Sequence, residues 1–356
     1  MPFFPASDTR AKLTSLFEAR GVPVADAALV AEELIRAEQM GIHSHGVIRA
    51  VQYVNDIESG RARPGAPVIV LSSHGPVTVL DCGFNLGIVA AHRAVDIALE
   101  AGRTQGVAVV ATRNCNHVGR LGAYAERCAR AGLVCIAAVA IPPLGHFVVP
   151  WGGAEGRIGT NPFAFGFPAE PDPIVADFAT SVIPEGRIRA AMMNGDTLPP
   201  DAVLDADGHV TTDPERFYGP PRGGLLPFGG PAGHKGYALG LLAELLGGAL
   251  AGYRVDDDER PINAFFLLVL DPACFALPQP VEELGAQVAD YMHSSRAAPG
   301  HERVLVPGEL EFMRLAAAER QDAIEIEDGV WTTVAAAAGE AGITLPTRRD
   351  RAEVSG

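Results

Sequence analysis

The chain has 356 residues, 48% of them hydrophobic, with 40 Gly, 28 Pro and a net charge of −15. That length holds one large domain or two to three smaller ones, and the composition suits a soluble α/β enzyme with many turns. The acidic balance argues against nucleic acid or anionic membrane as partner, since both call for basic surface.

A first helix is expected from Ser7 or Asp8 as cap, with Leu13, Leu16 and Phe17 on its apolar side and Gly21 after its end. A second runs over 24–40 and ends at Gly41. The stretch Gly41-Ile42-His43-Ser44-His45-Gly46-Val47-Ile48-Arg49 follows. After it Val47, Ala50, Val51, Val54 and Ile57 keep helical spacing up to Gly60. The polar cluster therefore falls at or just before a helix N-terminus, an end that favours anions and neutral imidazoles. Pro64-Gly65-Ala66-Pro67 breaks the pattern.

Strands are expected at 68–71, 77–80, 107–111 and 133–140, with helices at 87–101 and 121–131. Such alternation indicates a layered α/β sheet. No GxGxxG turn follows a strand and opens a helix, so a Rossmann nucleotide site is not expected. The apolar run 133–144 is broken by Pro142 and Pro143 and falls short of the roughly 20 residues of a membrane helix. From 142 to 231 the chain is rich in Gly and Pro. A helix over 235–250, a strand over 264–270 and helices at 280–293, 309–319 and 332–340 complete the pattern, with a charged tail from Thr347 that is expected to fray. The first residues, Met1-Pro2-Phe3-Phe4-Pro5, lack the basic and long apolar regions of a signal peptide. Cys82, Cys115, Cys128, Cys135 and Cys274 form no CxxC pair, so neither a disulfide framework nor a zinc ribbon is indicated, and a reducing cytoplasm fits.

Several chemistries compete for residues 43–49. Each histidine can be structural. Two histidines two apart on extended chain can share a metal. Ser44 beside a histidine suggests a nucleophile, although adjacent side chains rarely face each other well enough for a relay. An Arg four residues after an acid/base His suggests a clamped substrate carboxylate. A hydrolase built on His43, His45, His117 and Asp177 stays open on these residues, as does a binding protein without turnover. Further clusters are Asn116-His117-Val118-Gly119 after a buried strand, Gly159-Thr160-Asn161-Pro162, Asp177-Phe178-Ala179-Thr180-Ser181, and Gly233-His234-Lys235-Gly236 opening a helix, a natural phosphate site.

Taken together, in this order and spacing, these motifs resemble the malate/L-lactate dehydrogenase family of the second type. The match runs from about residue 10 to 345 and includes Thr211-Thr212-Asp213-Pro214, Leu225-Leu226-Pro227 and Pro307-Gly308-Glu309. The resemblance implies an α/β, non-Rossmann, mixed-sheet layered fold with a helical N-terminal section (1–75) packed with C-terminal helices (309–345) around an α/β region (76–308). It implies NAD or NADP as cofactor, a small carboxylate substrate and a homodimer. By the same resemblance His45 is the acid/base, flanked by Ser44 and Asp177 in a relay. Arg49 holds the substrate carboxylate with Thr160 nearby, and His117 serves catalysis or cofactor. The cofactor is lined by His117, Val118, Gly119, Arg120, Leu121, Asp177, Phe178, Ala179, Thr180, Ser181, His234, Lys235, Gly308 and Glu309, and no resident metal is implied. The chain departs from the pattern at Val139-Ala140-Ile141, where relatives often carry Thr-Asn-Ser, in a longer loop from Pro142 to Phe147, and at Asp201-Ala202. These changes bear on which substrate fits.

Overall fold

Strand β11 (Ala264–Leu270) lies at the middle of a sheet between two strands that it meets antiparallel. Its Phe265, Leu267 and Val269 are fully buried, and each such side chain contributes about 1.5–3 kcal/mol by leaving water. The structure is a computed structural model and describes residues 2–141, 143–252 and 263–349. Pro142 and the end of the charged tail, beyond 349, lie outside the described residues.

In chain order the strands are β1 (Phe3–Pro5), β2 (Ile69–His74), β3 (Val77–Asp81), β4 (Val107–Arg113), β5 (Val134–Ala140), β6 (Phe163–Phe167), β7 (Ile174–Phe178), β8 (Val203–Leu204), β9 (Val210–Thr211), β10 (Gly224–Leu225), β11 (Ala264–Leu270) and β12 (Ala323–Glu325). The helices are α1 (Ala6–Ala19), α2 (Val24–Gln39), α3 (Ile48–Glu58), α4 (Gly87–Gln105), α5 (Gly122–Arg130), α6 (Glu185–Asn194), α7 (Pro214–Tyr218), α8 (Gly233–Ala243), α9 (Val281–His293), α10 (Glu309–Gln321) and α11 (Asp328–Glu340).

The main sheet has seven strands in the order β2-β3-β4-β11-β5-β6-β7. Only β3 and β4 pair in parallel; the other contacts are antiparallel. This is the mixed, non-Rossmann layered sheet that the sequence led us to expect. Side chains alternate across it. Val110, Leu267, Ala137 and Ala164 face one core together with residues of α4 and α5. Ala138, Phe163 and Phe266 face the other side, where Ala243 of α8 covers them.

The N-terminal helices share a second core with Ile324, Ile326 and Val334, and β1 pairs with β12. The expected Ser7 or Asp8 cap is not found. Helix α1 begins at Ala6, and Asp322 caps it from a distance, accepting Ser7 N–H and Ser7 Oγ–H, both at 2.8 Å. The expected helix 235–250 also changes character. It is α-helical to Ala243 and then widens into a π turn over Glu244–Ala249. A Cβ on Gly247 would crowd the Ala264 carbonyl and the Ala140 amide, so the glycine lets this turn lie against β5 and β11.

Candidate active site

The site starts from a single 3₁₀ turn, His43–His45, between α2 and α3. Within it Ser44 Oγ stands 2.9 Å from His45 Nδ1. The expectation that adjacent residues would not face each other fails here, because the tight turn brings the hydroxyl round to its neighbour. Arg49 lies in the first turn of α3. Its Nε–H donates to the Ser44 carbonyl at 2.7 Å, and Nη1 donates to Gln52 Oε1 at 2.6 Å. The guanidinium is thus tied to the turn that carries His45.

His117 comes from the loop after β4. Its ring stacks on His45, with centroids 5.6 Å apart and planes 18° from parallel. Tyr53 OH lies 2.8 Å from His117 Nδ1, and Gly119 N–H reaches the same nitrogen at 3.3 Å. Burial raises the Tyr53 pKa, so the phenol keeps its proton and donates it. Nδ1 is then an acceptor, and in the neutral ring the proton sits on Nε2. Burial, with Arg49 and Arg120 adding repulsion, pushes the His45 pKa down to about 3. Burial, Arg49 and His45 hold His117 well below its usual value. Surface area leaves both rings partly open, so the crowding comes from surrounding groups rather than from complete enclosure. Both imidazoles are neutral at neutral pH.

Asp177 does not join His45. Among the described residues its Oδ2 accepts Gly122 N–H at 2.7 Å, at the start of α5, with the Leu121 N–H alongside. Among the described residues no hydrogen bond joins Asp177 to His45; the carboxylate accepts from backbone donors at a helix start. Arg120 lies beside it, buried, and pairs with Glu126 at 3.0 Å while its Nε has no hydrogen-bond partner among the described residues.

The other segments singled out in the sequence fall on separate elements. Thr180 Oγ1 donates to the carbonyls of Thr160 and Asn161, at 3.1 and 3.2 Å, which ties the Thr160 loop to the end of β7. Ser181 is buried and donates to the Ile183 carbonyl at 2.8 Å, whereas Phe178 is exposed. His234 and Lys235 open α8 and are exposed, the His234 ring edge-on to Trp151 at 5.7 Å. Gly308, in the left-handed region at φ 93°, precedes α10. Glu309 is committed to structure, accepting from Val306 N–H and meeting His293 Nε2, both at 2.9 Å. At the departure from the family pattern Val139 and Ala140 are buried in β5, and Ile141 N–H donates to Asn161 Oδ1 at 3.2 Å.

Of the hydrolase donor set, His45 and His117 stack on each other, but the set forms no metal-ligating cluster among the described residues. His43 turns to Glu38 at 2.5 Å, and the one three-ligand cluster among the described residues is Asp205, Asp207 and His209. Tyr53 and Gln52 were missed in the sequence. Their signal was spacing, since Gln52 and Tyr53 stand three and four residues after Arg49 and so share its helix face.

Two stacked imidazoles thus lie beside a tethered guanidinium, on a sheet without a Rossmann turn. Comparison with known proteins gives the chemistry. The family model described as malate/L-lactate dehydrogenase matches residues 4–335. Hydroxycarboxylate dehydrogenase B of Escherichia coli K12 is 33% identical over 97% of this chain and 96% of its own. Malate dehydrogenase of Pyrococcus horikoshii is 33% identical over 83% of each chain. Among solved structures, Δ1-piperideine-2-carboxylate reductase from Pseudomonas syringae pvar. tomato superposes with a TM-score of 0.82 at 28% identity, covering 95% of this chain and 100% of that one. The chain belongs to the malate/L-lactate dehydrogenase family, and it is an oxidoreductase that works with a nicotinamide cofactor.

Proposed function

We propose that the protein moves a hydride between nicotinamide C4 and C2 of a small 2-hydroxy acid, or of a 2-oxo or 2-imino acid in reverse, using NAD or NADP. One observation carries this reading: the His45–His117 stack with Arg49 tied to the same turn. The family's dehydrogenases, named for malate, lactate and sulfolactate, support the substrate class.

The residues present fit a nicotinamide dinucleotide. The loop His117 to Leu121 runs into the amino end of α5, the segment Asp177 to Ser181 offers the exposed Phe178 ring, and His234 and Lys235 stand exposed at the amino end of α8. With Gly308 before α10 and Glu309 as its first residue, these give positively polarised helix ends suited to phosphate. When bound, the cofactor supplies or accepts the hydride. His45 exchanges the proton of the substrate oxygen through Nε2, while Ser44 holds Nδ1. In the free site His45 is neutral and only weakly basic; a substrate carboxylate that offsets Arg49 raises its pKa and so makes it the better base for oxidation of a hydroxy acid. Arg49 pairs with the substrate carboxylate and fixes C2 in place, with Thr160 at the edge of the site. The Nε2–H of His117 is a fixed donor. Asp177 orders the His117 loop rather than touching His45.

The test is nicotinamide absorbance with NADH and NADPH across a panel of 2-oxo acids, for wild type and His45→Ala. Turnover by wild type, cut roughly 10²- to 10⁴-fold in the variant, is expected from loss of a general acid/base. No wild-type turnover with either cofactor would overturn the reading.

A further inference from the structure

Two groups behind the catalytic turn take no part in the chemistry proposed above. Glu38 is the penultimate residue of α2, and its side chain is 2% exposed. Its Oε1 accepts Val47 N–H at 2.8 Å, and its Oε2 meets His43 Nδ1 at 2.5 Å. His43 and Val47 bracket the segment Ser44-His45-Gly46, so one carboxylate grips both ends of it. Gly46 belongs to the same arrangement, because a Cβ there would overlap the Glu38 carboxyl. The absent side chain lets the acid lie against the backbone one residue from His45.

The charge balance is also local. A buried carboxylate is costly unless it is paired and hydrogen-bonded. The hydrogen bond that His43 donates to Glu38 raises the His43 pKa, with charge from Glu38, Glu325 and Glu327 adding to it against burial. Arg314 of α10 lies against Gly41, at the entrance to the turn. His43, flagged in the sequence as a metal ligand or catalyst, has its Nδ1 committed to this pair.

We propose that Glu38, with His43 as its hydrogen-bond partner, is a positioning residue that fixes His45 by clamping both ends of the Ser44-His45-Gly46 turn. The proposal rests on His45 being the proton-exchanging group. A slack turn misplaces the imidazole against the substrate oxygen, and displacements near 1 Å cost roughly a hundredfold in rate.

The experiment compares wild type, Glu38→Ala, Glu38→Gln and His43→Ala, reading kcat and KM on the 2-oxo-acid panel, NADH affinity by fluorescence, and the His45 ring by ¹⁵N-histidine NMR. Glu38→Ala is expected to lose roughly tenfold to a hundredfold in kcat, with KM and NADH affinity little changed and the His45 signal broadened by exchange. Glu38→Gln keeps an acceptor for Val47 and a donor for His43, and it is expected to recover most of the rate. A Glu38→Ala enzyme with wild-type kcat, or one that loses NADH binding and rate in equal proportion as a partly unfolded sample does, overturns the clamp. Should Glu38→Ala not fold, His43→Ala, at a 41% exposed side chain, carries the test: reduced kcat with broadened His45 supports the clamp, and unchanged values overturn it. If wild type itself is silent on the panel, the dehydrogenase reading fails, and the NMR signal alone then decides the clamp, an unaltered His45 signal in Glu38→Ala counting against it.

Discussion

At the scale of single residues, the neutral imidazoles make acid stability the first prediction. His45 and His117 have folded pKa values below the unfolded value, so below about pH 6.5 the unfolded chain binds protons that the folded site refuses. Their contribution is complete above that pH and is lost as pH falls toward the folded value of about 3 for His45. Urea midpoints are expected to drop between pH 7 and pH 5, and to drop less in His45→Gln/His117→Gln; equal slopes would refute the assignment. A second prediction concerns binding. Arg49 is one of the charges that depress His45, so an anion that neutralises Arg49 raises the His45 pKa. Oxamate is expected to bind with net proton uptake near pH 5, read by calorimetry in buffers of different ionisation enthalpy. Binding without proton uptake would show that Arg49 is not where the carboxylate sits. Most of this cluster was legible in the sequence because four chemical side chains, His43, Ser44, His45 and Arg49, fall within seven positions. The partner of Asp177 was not, since Gly122 offers only a backbone N–H and nothing in its side chain marks it.

At the scale of elements, Asp177 links β7 to α5. A carboxylate on the first amide groups of a helix satisfies donors that have no partner within the helix. Asp177→Ala is expected to cost about 1 kcal/mol of stability and to weaken NADH binding through the loosened His117 loop, whereas Asp177→Asn retains most of both. An Asn variant as impaired in kcat as His45→Ala would instead place Asp177 in a proton relay. Thermal melts and NADH titrations read the two outcomes. The long periodic elements, α2, α4, α5 and β11, could be read from sequence because burial on one face repeats there. β1, β8, β9, β10 and β12 span only two or three residues, too few for a period to appear. β6 was hidden for another reason. It follows an Asn-Pro turn in a Gly- and Pro-rich tract, and its Phe-Ala-Phe-Gly-Phe run is a strand by virtue of pairing with β5 and β7. The π turn of Glu244–Ala249 answers to Gly247 meeting another strand, a contact that local propensity does not contain.

At the scale of the whole molecule, strand order is the least legible property. β11 enters between β4 and β5 from about 130 residues away along the chain, and only the register of long-range pairs fixes it. That register also aligns Val109, Leu268, Ile136 and Phe165 in one row across a sheet face. Helix α8 covers the neighbouring row but leaves Ile136 38% and Phe165 39% exposed. A homodimer is expected from the family resemblance, and this row is where to probe it. Two copies that each carry −15 repel one another, while apolar contact favours them. Screening shortens the reach of that repulsion from about 30 Å at 0.01 M salt to about 10 Å at 0.1 M. Dimerisation should therefore tighten as salt rises over that range, and Phe165→Glu should weaken it at every salt concentration. Light scattering after size exclusion decides the matter: a constant single-chain mass of 37.3 kDa for wild type rules out the dimer, and a dimer indifferent to Phe165→Glu moves its interface off this face of the sheet.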